Sequence, residues 1–224
     1  MYDLHKNEEQ LLELVIDYYI KYWTPVGSKA LEWIENVEMA PSTIRKYLNF
    51  LEKKWLVQQP YNSAWRIPTQ EWVQTYITTI LSKKEEQSHN LVRIEKKFNL
   101  RHFIEILGEK IDWVAFGYYK DEDDINYLWV TKILKKVNND LEKIIPLMDF
   151  IEQKQIISYL SKKEIEVWKI NYNFVSYHWI NIVLMYITVE FEWIPAVIGT
   201  VSSLRVDYKN NIKILNTVLE KWKL

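Results

Sequence analysis

The sequence predicts an α+β protein in two parts: an N-terminal winged helix-turn-helix over residues 1–82, then an α+β domain with a mostly antiparallel sheet over 83–224. Three observations carry this. Residues 25–69 read PVGSKALEWIENVEMAPSTIRKYLNFLEKKWLVQQPYNSAWRIPT: a short helical start, a longer helical stretch and a strand–turn–strand, in the order such a module requires. The second half instead carries the runs WVAFGYY (113–119), NYLWVT (126–131), IEVWKIN (165–171), INIVLMYITVEF (180–191) and IPAVIGTV (194–201), whose aromatic and β-branched residues suit strands. Between the halves lies the polar run SKKEEQSHN (82–90), whose neighbouring Lys and Glu predict a helical connection at the boundary.

In chain order, Leu11, Leu12, Leu14, Val15, Ile16, Tyr19 and Ile20 recur at helical spacing and predict a first helix over 7–22, with Asn7 and Gln10 as a capping box. Pro25 and Gly27 break it, and Ser28 is placed to cap a second helix over 28–37. Pro41 starts a third with Ser42 as its cap, and Ile44, Leu48 and Leu51 form the stripe that faces the core. Thr43, Arg45, Lys46, Tyr47 and Asn49 are left facing outward. Residues 56–59 and 65–67 predict two wing strands around the turn Pro60-Tyr61-Asn62-Ser63, with Val57 and Ile67 pointing inward. Thr69 and Glu71 open a fourth helix through Val73, Tyr76, Ile77, Ile80 and Leu81. In the second half, helices are predicted at 91–110, 134–160 and 206–223 around one sheet.

Composition narrows the function classes. The 224 residues hold no cysteine, which excludes disulfides and thiolate zinc sites and predicts a reducing cytoplasm. The start MYDLHKNEEQ has no signal-peptide pattern, and the longest apolar run, INIVLMYITV (180–189), is too short to cross a bilayer. No membrane role is expected. His5, His89, His102 and His178 lack metal-ligand spacing, and Asp121-Glu122-Asp123-Asp124 lacks the spacing and glycine of a calcium loop. With no nucleophile motif and no phosphate-binding glycine loop, neither an enzyme nor a cofactor is predicted. Net charge is −1, and residues 1–80 carry eight Lys/Arg against ten Asp/Glu, so charge alone does not suggest nucleic acid. Its distribution does: Lys29, Arg45, Lys46 and Arg66 fall in the second helix, the third helix and the wing, whereas Asp3, Glu8, Glu9, Glu13 and Asp17 cluster at the start.

The predicted DNA-binding residues follow from that arrangement. Ser42, Thr43, Arg45 and Lys46 occupy the first turns of the reading helix, where side chains reach base edges and phosphates. Arg45 suits a bidentate contact to guanine and Lys46 a phosphate. Ser28 and Lys29 begin the second helix, and helix N-termini favour anions. Tyr61, Asn62, Ser63 and Arg66 in the wing are placed to touch the backbone or minor groove. The plain alternatives are a solvated face for the third helix, ordinary capping for Ser28, and a strand salt bridge for Arg66.

Three blocks, PVGSKAL, PSTIR and QPYNSAWRIPT, resemble the N-terminal domain of the heat-inducible transcription repressors of the HrcA family, whose pattern is close to GEPVGSKAL, SPATIRNDM and QPHTSAGRIPT. The likeness covers about residues 10–82. More weakly, INYLWVTKIL is similar to the family's GLSNLL segment, and AVIGTVSSLRVDYKNNI to its GVIGPTRMDYxxVI segment, keeping Arg205, Asp207 and Tyr208 but departing over residues 200–204. The chain is short for the family between about 90 and 125. Lys46-Tyr47 stands where the family has Asn-Asp, so base-by-base transfer fails there.

The resemblance implies a repressor that binds an inverted-repeat operator upstream of chaperone operons as a homodimer. It also implies a GAF-like dimerisation and regulatory domain over 83–224, assistance from the chaperonin GroEL, and release on heat stress. It gives a reading of one odd count as well: the chain has 11 Trp and only 4 Gly, where roughly 15 Gly are expected for this length at usual frequencies. Trp23, Trp55, Trp65, Trp72, Trp129 and Trp193 stand where the family has glycine, as if UGA codons read as Gly in the source had been translated as Trp. Two other functions remain open from the residues themselves: a winged-helix regulator that senses a small molecule through its second domain, and a module that uses the winged helix for protein contacts.

Overall fold

The computed structural model describes residues 6–22, 24–32, 39–59, 66–82, 99–121, 124–136, 141–163, 166, 169–191 and 193–222. The chain divides into two compact units, Met1–Lys84 and Glu85–Leu224.

In the first unit, α1 (Lys6–Tyr22) carries Leu11, Leu12, Val15 and Ile16 on one buried face and packs against α2 (Ser28–Glu32), α3 (Pro41–Lys53) and strand β2 (Ile67–Pro68). Strand β1 (Val57–Gln58) pairs antiparallel with β2, Val57 opposite Pro68 and Gln58 opposite Ile67. Val26 extends this pairing through a two-way main-chain bridge to Arg66, with N···O distances of 2.7 and 3.0 Å. Helix α4 (Gln70–Ser82) closes the unit; its Tyr76 hydroxyl donates to Asp17 on α1 at 3.2 Å.

Several sequence-level details change. Asn7 lies inside α1 rather than capping it. The carbonyl of Gly27 receives the first bonds of α2 from Ala30 and Leu31, so Ser28 is the first helical residue and not the cap. Ala40 precedes α3 without a side-chain cap, and Pro41 occupies the first helical position, where its missing N–H costs nothing and its φ is already helical. Ser42 therefore sits in the first turn. Thr69, by contrast, accepts the amide of Trp72 at 3.2 Å and caps α4. Ile67 is half-buried, and its neighbour Pro68 faces inward instead.

The second unit holds one sheet in the order β4-β3-β7-β6-β5, antiparallel at every described pairing. Its strands are β3 (Val114–Tyr119), β4 (Asn126–Leu128), β5 (Asn171–Tyr177), β6 (Ile180–Phe191) and β7 (Ile194–Ser203). The strand expected at 165–171 thus begins where that segment ends. Isoleucine and valine in IEVWKIN gave the right composition, but the hairpin with β6 sets the register, pairing Asn171 with Tyr186 and Tyr177 with Ile180. The helices are α5 (Leu100–Lys110), α6 (Thr131–Lys136), α7 (Leu141–Glu152), α8 (Gln155–Leu160) and α9 (Tyr208–Trp222). The single helix expected over 134–160 is three. The Arg205-Val206-Asp207-Tyr208 segment starts α9: Asp207 accepts the amide of Asn210 at 2.9 Å, and the Tyr208 hydroxyl donates to the Leu204 carbonyl at 2.8 Å. Fully buried Asn211 ties α9 to the sheet by accepting the Asp112 amide at 2.7 Å. The predicted helical boundary at 82–90 lies outside the described residues beyond Ser82.

The backbone reverses the usual allocation of residues. Trp55, Trp113, Trp129 and Trp193 adopt φ of 60°, 69°, 67° and 70°, whereas no described glycine has positive φ. An indole Cβ in this left-handed region clashes with the following carbonyl, at a cost of roughly 1–2 kcal/mol, and glycine is the residue that occupies it freely.

One face of the sheet is rich in phenols. Tyr127 pairs with Phe116, Phe116 with Gly199 and Gly199 with Tyr186, so Tyr127, Tyr186 and Tyr118 share a side. Burial pushes the Tyr118 and Tyr186 phenols up to about 12 and raises Tyr127 likewise, with repulsion from neighbouring phenols adding to the last two. A raised pKa means that the fold favours the neutral form. Their contribution is complete below the ordinary value of 10 and is lost as pH climbs from 10 through about 12. Denaturant midpoints measured across that range should fall, and Tyr186→Phe should make the fall shallower.

Candidate nucleic-acid interface

The exposed side of α3 follows from what its other side does. Ile44, Leu48 and Leu51 are wholly buried, each contributing roughly 1.5–3 kcal/mol by leaving water. With that stripe turned inward, Ser42, Arg45, Lys46, Asn49 and Lys53 are all exposed and form one continuous row at helical spacing. Thr43 and Tyr47 are half-buried at its margins. Three of the five residues are cationic. The one acid on this helix, Glu52, is held by Arg66, while the acidic residues Glu8, Glu9, Glu13 and Asp17 belong to α1.

The helix ends in a defined way. The amide of Trp55 bonds the Glu52 carbonyl at 3.0 Å and that of Leu56 bonds Leu51 at 3.0 Å, the paired pattern of a Schellman motif whose left-handed residue is usually glycine. Here that residue is Trp55, with 74 % of its surface exposed. Thr69 pins the same turn by donating its hydroxyl to the Trp55 carbonyl at 2.7 Å. The end of α3 and the start of α4 are thus locked together.

Arg66 does not project freely. Its main chain is bridged to Val26, its side chain is only 14 % exposed, and its Nε donates to Glu52 Oε2 at 3.1 Å while Nη2 donates to Asn49 Oδ1. The salt-bridge alternative describes this geometry, and it makes Arg66 a strut between β2 and α3. Lys29 is exposed on α2 and Ser28 half-buried beside it. Tyr61, Asn62 and Ser63 lie outside the described residues. Sequence reasoning left Lys53 out of the interface and did not assign Asn49 a role, although both continue the 42–45–46 spacing by further turns.

Among the described residues no cluster of His, Asp or Glu is arranged to hold a metal ion, and no helix is long and apolar enough to cross a membrane.

No family model matches the chain. Over the full length, a solved structure described as a hypothetical protein shares the fold, with a TM-score of 0.75 over 98 % of each chain at 14 % identity. By sequence the chain is similar to transcription repressors. The particular relatives carry one name, heat-inducible transcription repressor HrcA. The protein from Methylobacillus flagellatus is 32 % identical over 92 residues, covering 41 % of this chain and 27 % of that one. The one from Staphylococcus epidermidis is 25 % identical over 190 residues, covering 77 % of this chain and 56 % of that one. The chain therefore spans between about a quarter and about half of the length of these curated relatives.

The two sides of α3 should respond differently to truncation. Leu48→Ala should cost roughly 2–5 kcal/mol through the cavity it leaves. Arg45→Ala and Lys46→Ala should change stability by less than about 0.5 kcal/mol. Urea unfolding followed by circular dichroism distinguishes them.

Proposed function

We propose that this chain is a DNA-binding transcription repressor of chaperone genes, reading an inverted-repeat operator as a homodimer and releasing it on heat stress. The observation that carries the reading is the exposed cationic row of α3, backed by a buried apolar stripe, in a chain similar to proteins named HrcA. Residues 1–82 act as the winged helix, with α3 as recognition helix and β1 and β2 as the wing strands. Residues 83–224 act as the GAF-like dimerisation and regulatory domain. Arg45 contacts a base edge, Ser42 and Thr43 support it, and Lys46, Lys53 and Lys29 contact phosphates, with Ser28 beside the last. Tyr61, Asn62 and Ser63 are assigned to the backbone or minor groove on their wing position alone. One helix reads few base pairs, so specificity needs two copies on a two-fold symmetric site. The chaperonin GroEL as regulatory partner and the cytoplasm as location follow from the resemblance.

We also propose that Trp55, Trp129 and Trp193 occupy glycine positions of the natural protein, encoded by UGA codons read as Gly. Support comes from the left-handed φ at all three and from the Schellman position of Trp55. Trp113 shares the left-handed φ but is wholly buried and donates its indole N–H to the Arg205 carbonyl at 2.6 Å, so packing holds tryptophan at that position. Trp72, singled out from sequence, lies within helix α4 without positive φ, so its backbone makes no such demand. Trp23 and Trp65 lie outside the described residues.

In a mobility-shift assay with the inverted repeat upstream of the source organism's chaperone operon, the chain carrying glycine at positions 55, 129 and 193 should bind, and Arg45→Ala should weaken binding by about 5- to 100-fold. No shift at low salt would sink the repressor reading. Separately, Trp193→Gly, at a turn residue 91 % exposed, should raise stability by about 1 kcal/mol, or roughly 2–4 °C in Tm. UGG codons at 55, 129 and 193 together with unchanged or lower stability would refute the glycine assignment.

A further inference from the structure

The Arg66 strut does more than hold β2 against α3, because of what a guanidinium is able to bond. It has five N–H donors and no acceptor. Whatever side of the Asn49 amide faces it must therefore be the carbonyl oxygen, as the Nη2-to-Oδ1 bond has it. The Asn49 amino group is then turned the other way, onto the exposed row between Arg45 and Lys53. Arg66 is itself immobilised twice, by the main-chain bridge to Val26 and by Glu52, whose carboxylate also balances its charge. A surface Asn normally rotates between donor and acceptor presentations. This one is set to present two N–H donors.

That orientation has a consequence for base reading. A free Asn recognises adenine by accepting from N6 and donating to N7. With Oδ1 held towards Arg66 the amide turns its amino group outward, so the paired donor–acceptor match to adenine is disfavoured and the outward donors suit an edge made only of acceptors. In the major groove guanine offers two adjacent ones, O6 and N7, while thymine offers a single O4 beside a methyl group.

We propose that Asn49 is a specificity-determining residue that donates to the acceptor edge of a guanine, and that Arg66 is the positioning residue that orients it. This rests on the DNA-reading function proposed above. A neutral amide in the middle of a row of cations adds little to phosphate affinity, which supports a base rather than a backbone contact.

The experiment is selection from a pool of random-sequence duplexes with the full chain, its Asn49→Ala variant and its Arg66→Met variant, followed by sequencing of the enriched sites. The wild-type chain should enrich a motif with guanine at one position in each half-site. Asn49→Ala is an exposed helical change to the best helix former and should fold normally. It should lose preference at that position alone, by roughly tenfold, and keep the rest of the motif. Arg66→Met keeps the apolar stem but frees the amide, and should shift the same position from guanine towards adenine.

An unchanged motif with Asn49→Ala would overturn the proposal, as would uniform weakening on all sequences, which marks a phosphate contact. If Arg66→Met lowers affinity without changing the preferred base while its melting curve matches wild type, the positioning role fails. If the variant melts early, Glu52→Gln, which loosens the same clamp, provides the same readout. Absence of any enriched motif with wild-type protein would instead overturn the DNA-reading function itself, a result distinct from a motif that Asn49 does not influence.

Discussion

The first unit depends on the burial of one stripe of one helix. Ile44, Leu48 and Leu51 leave water completely, and the helix that carries them has no freedom to rotate without exposing them. Everything on its outer row takes its position from that constraint. The elements that follow reinforce it from the other end: the Schellman turn at Trp55, the Thr69 hydroxyl on that turn, and the Arg66 guanidinium laid across Asn49 and Glu52. The outer face of α3 is rigid because its core side is packed and its polar side is clamped, so its side chains are held in fixed presentations.

A second constraint runs through the backbone. Six described residues other than glycine are left-handed: tryptophan stands at four of them, after α3, before β3, after β4 and between β6 and β7, while Lys154 precedes α8 and His178 lies in the β5–β6 hairpin. The local hydrogen-bond patterns at these points are those of ordinary turns and caps, which glycine serves without strain. Hydrophobic gain does not explain the choice, since Trp55 and Trp193 are largely exposed while Trp113 is buried. At Trp55 and Trp193, both largely exposed, the backbone requirement stands without packing behind it, whereas at Trp113 a buried indole hydrogen-bonded to the Arg205 carbonyl offsets the strain.

Much of this was legible beforehand for a physical reason. The α3 stripe has helical period, and the strands β3, β6 and β7 are dense in β-branched and aromatic residues, so local pattern and tertiary role agree. Where they diverge, another force decided. β5 moved from 165–171 to Asn171–Tyr177 because its hairpin partner sets register, not its own composition. Ser28 and Ser42 look like caps, but the carbonyls of Gly27 and Ala40 had already started the helices and the hydroxyls fell one position too late.

The sequence by itself determined the α+β class, the helices and strands of the first unit, the apolar stripe of α3 and the placing of Arg45 and Lys46 on its outer face, because each depends on residues close together in the chain. Only the tertiary structure decided what Arg66 does. From sequence it is a cation in a wing. In the fold, main-chain pairing with Val26 and a carboxylate fourteen residues away draw it inward, and no pattern within either segment encodes that meeting.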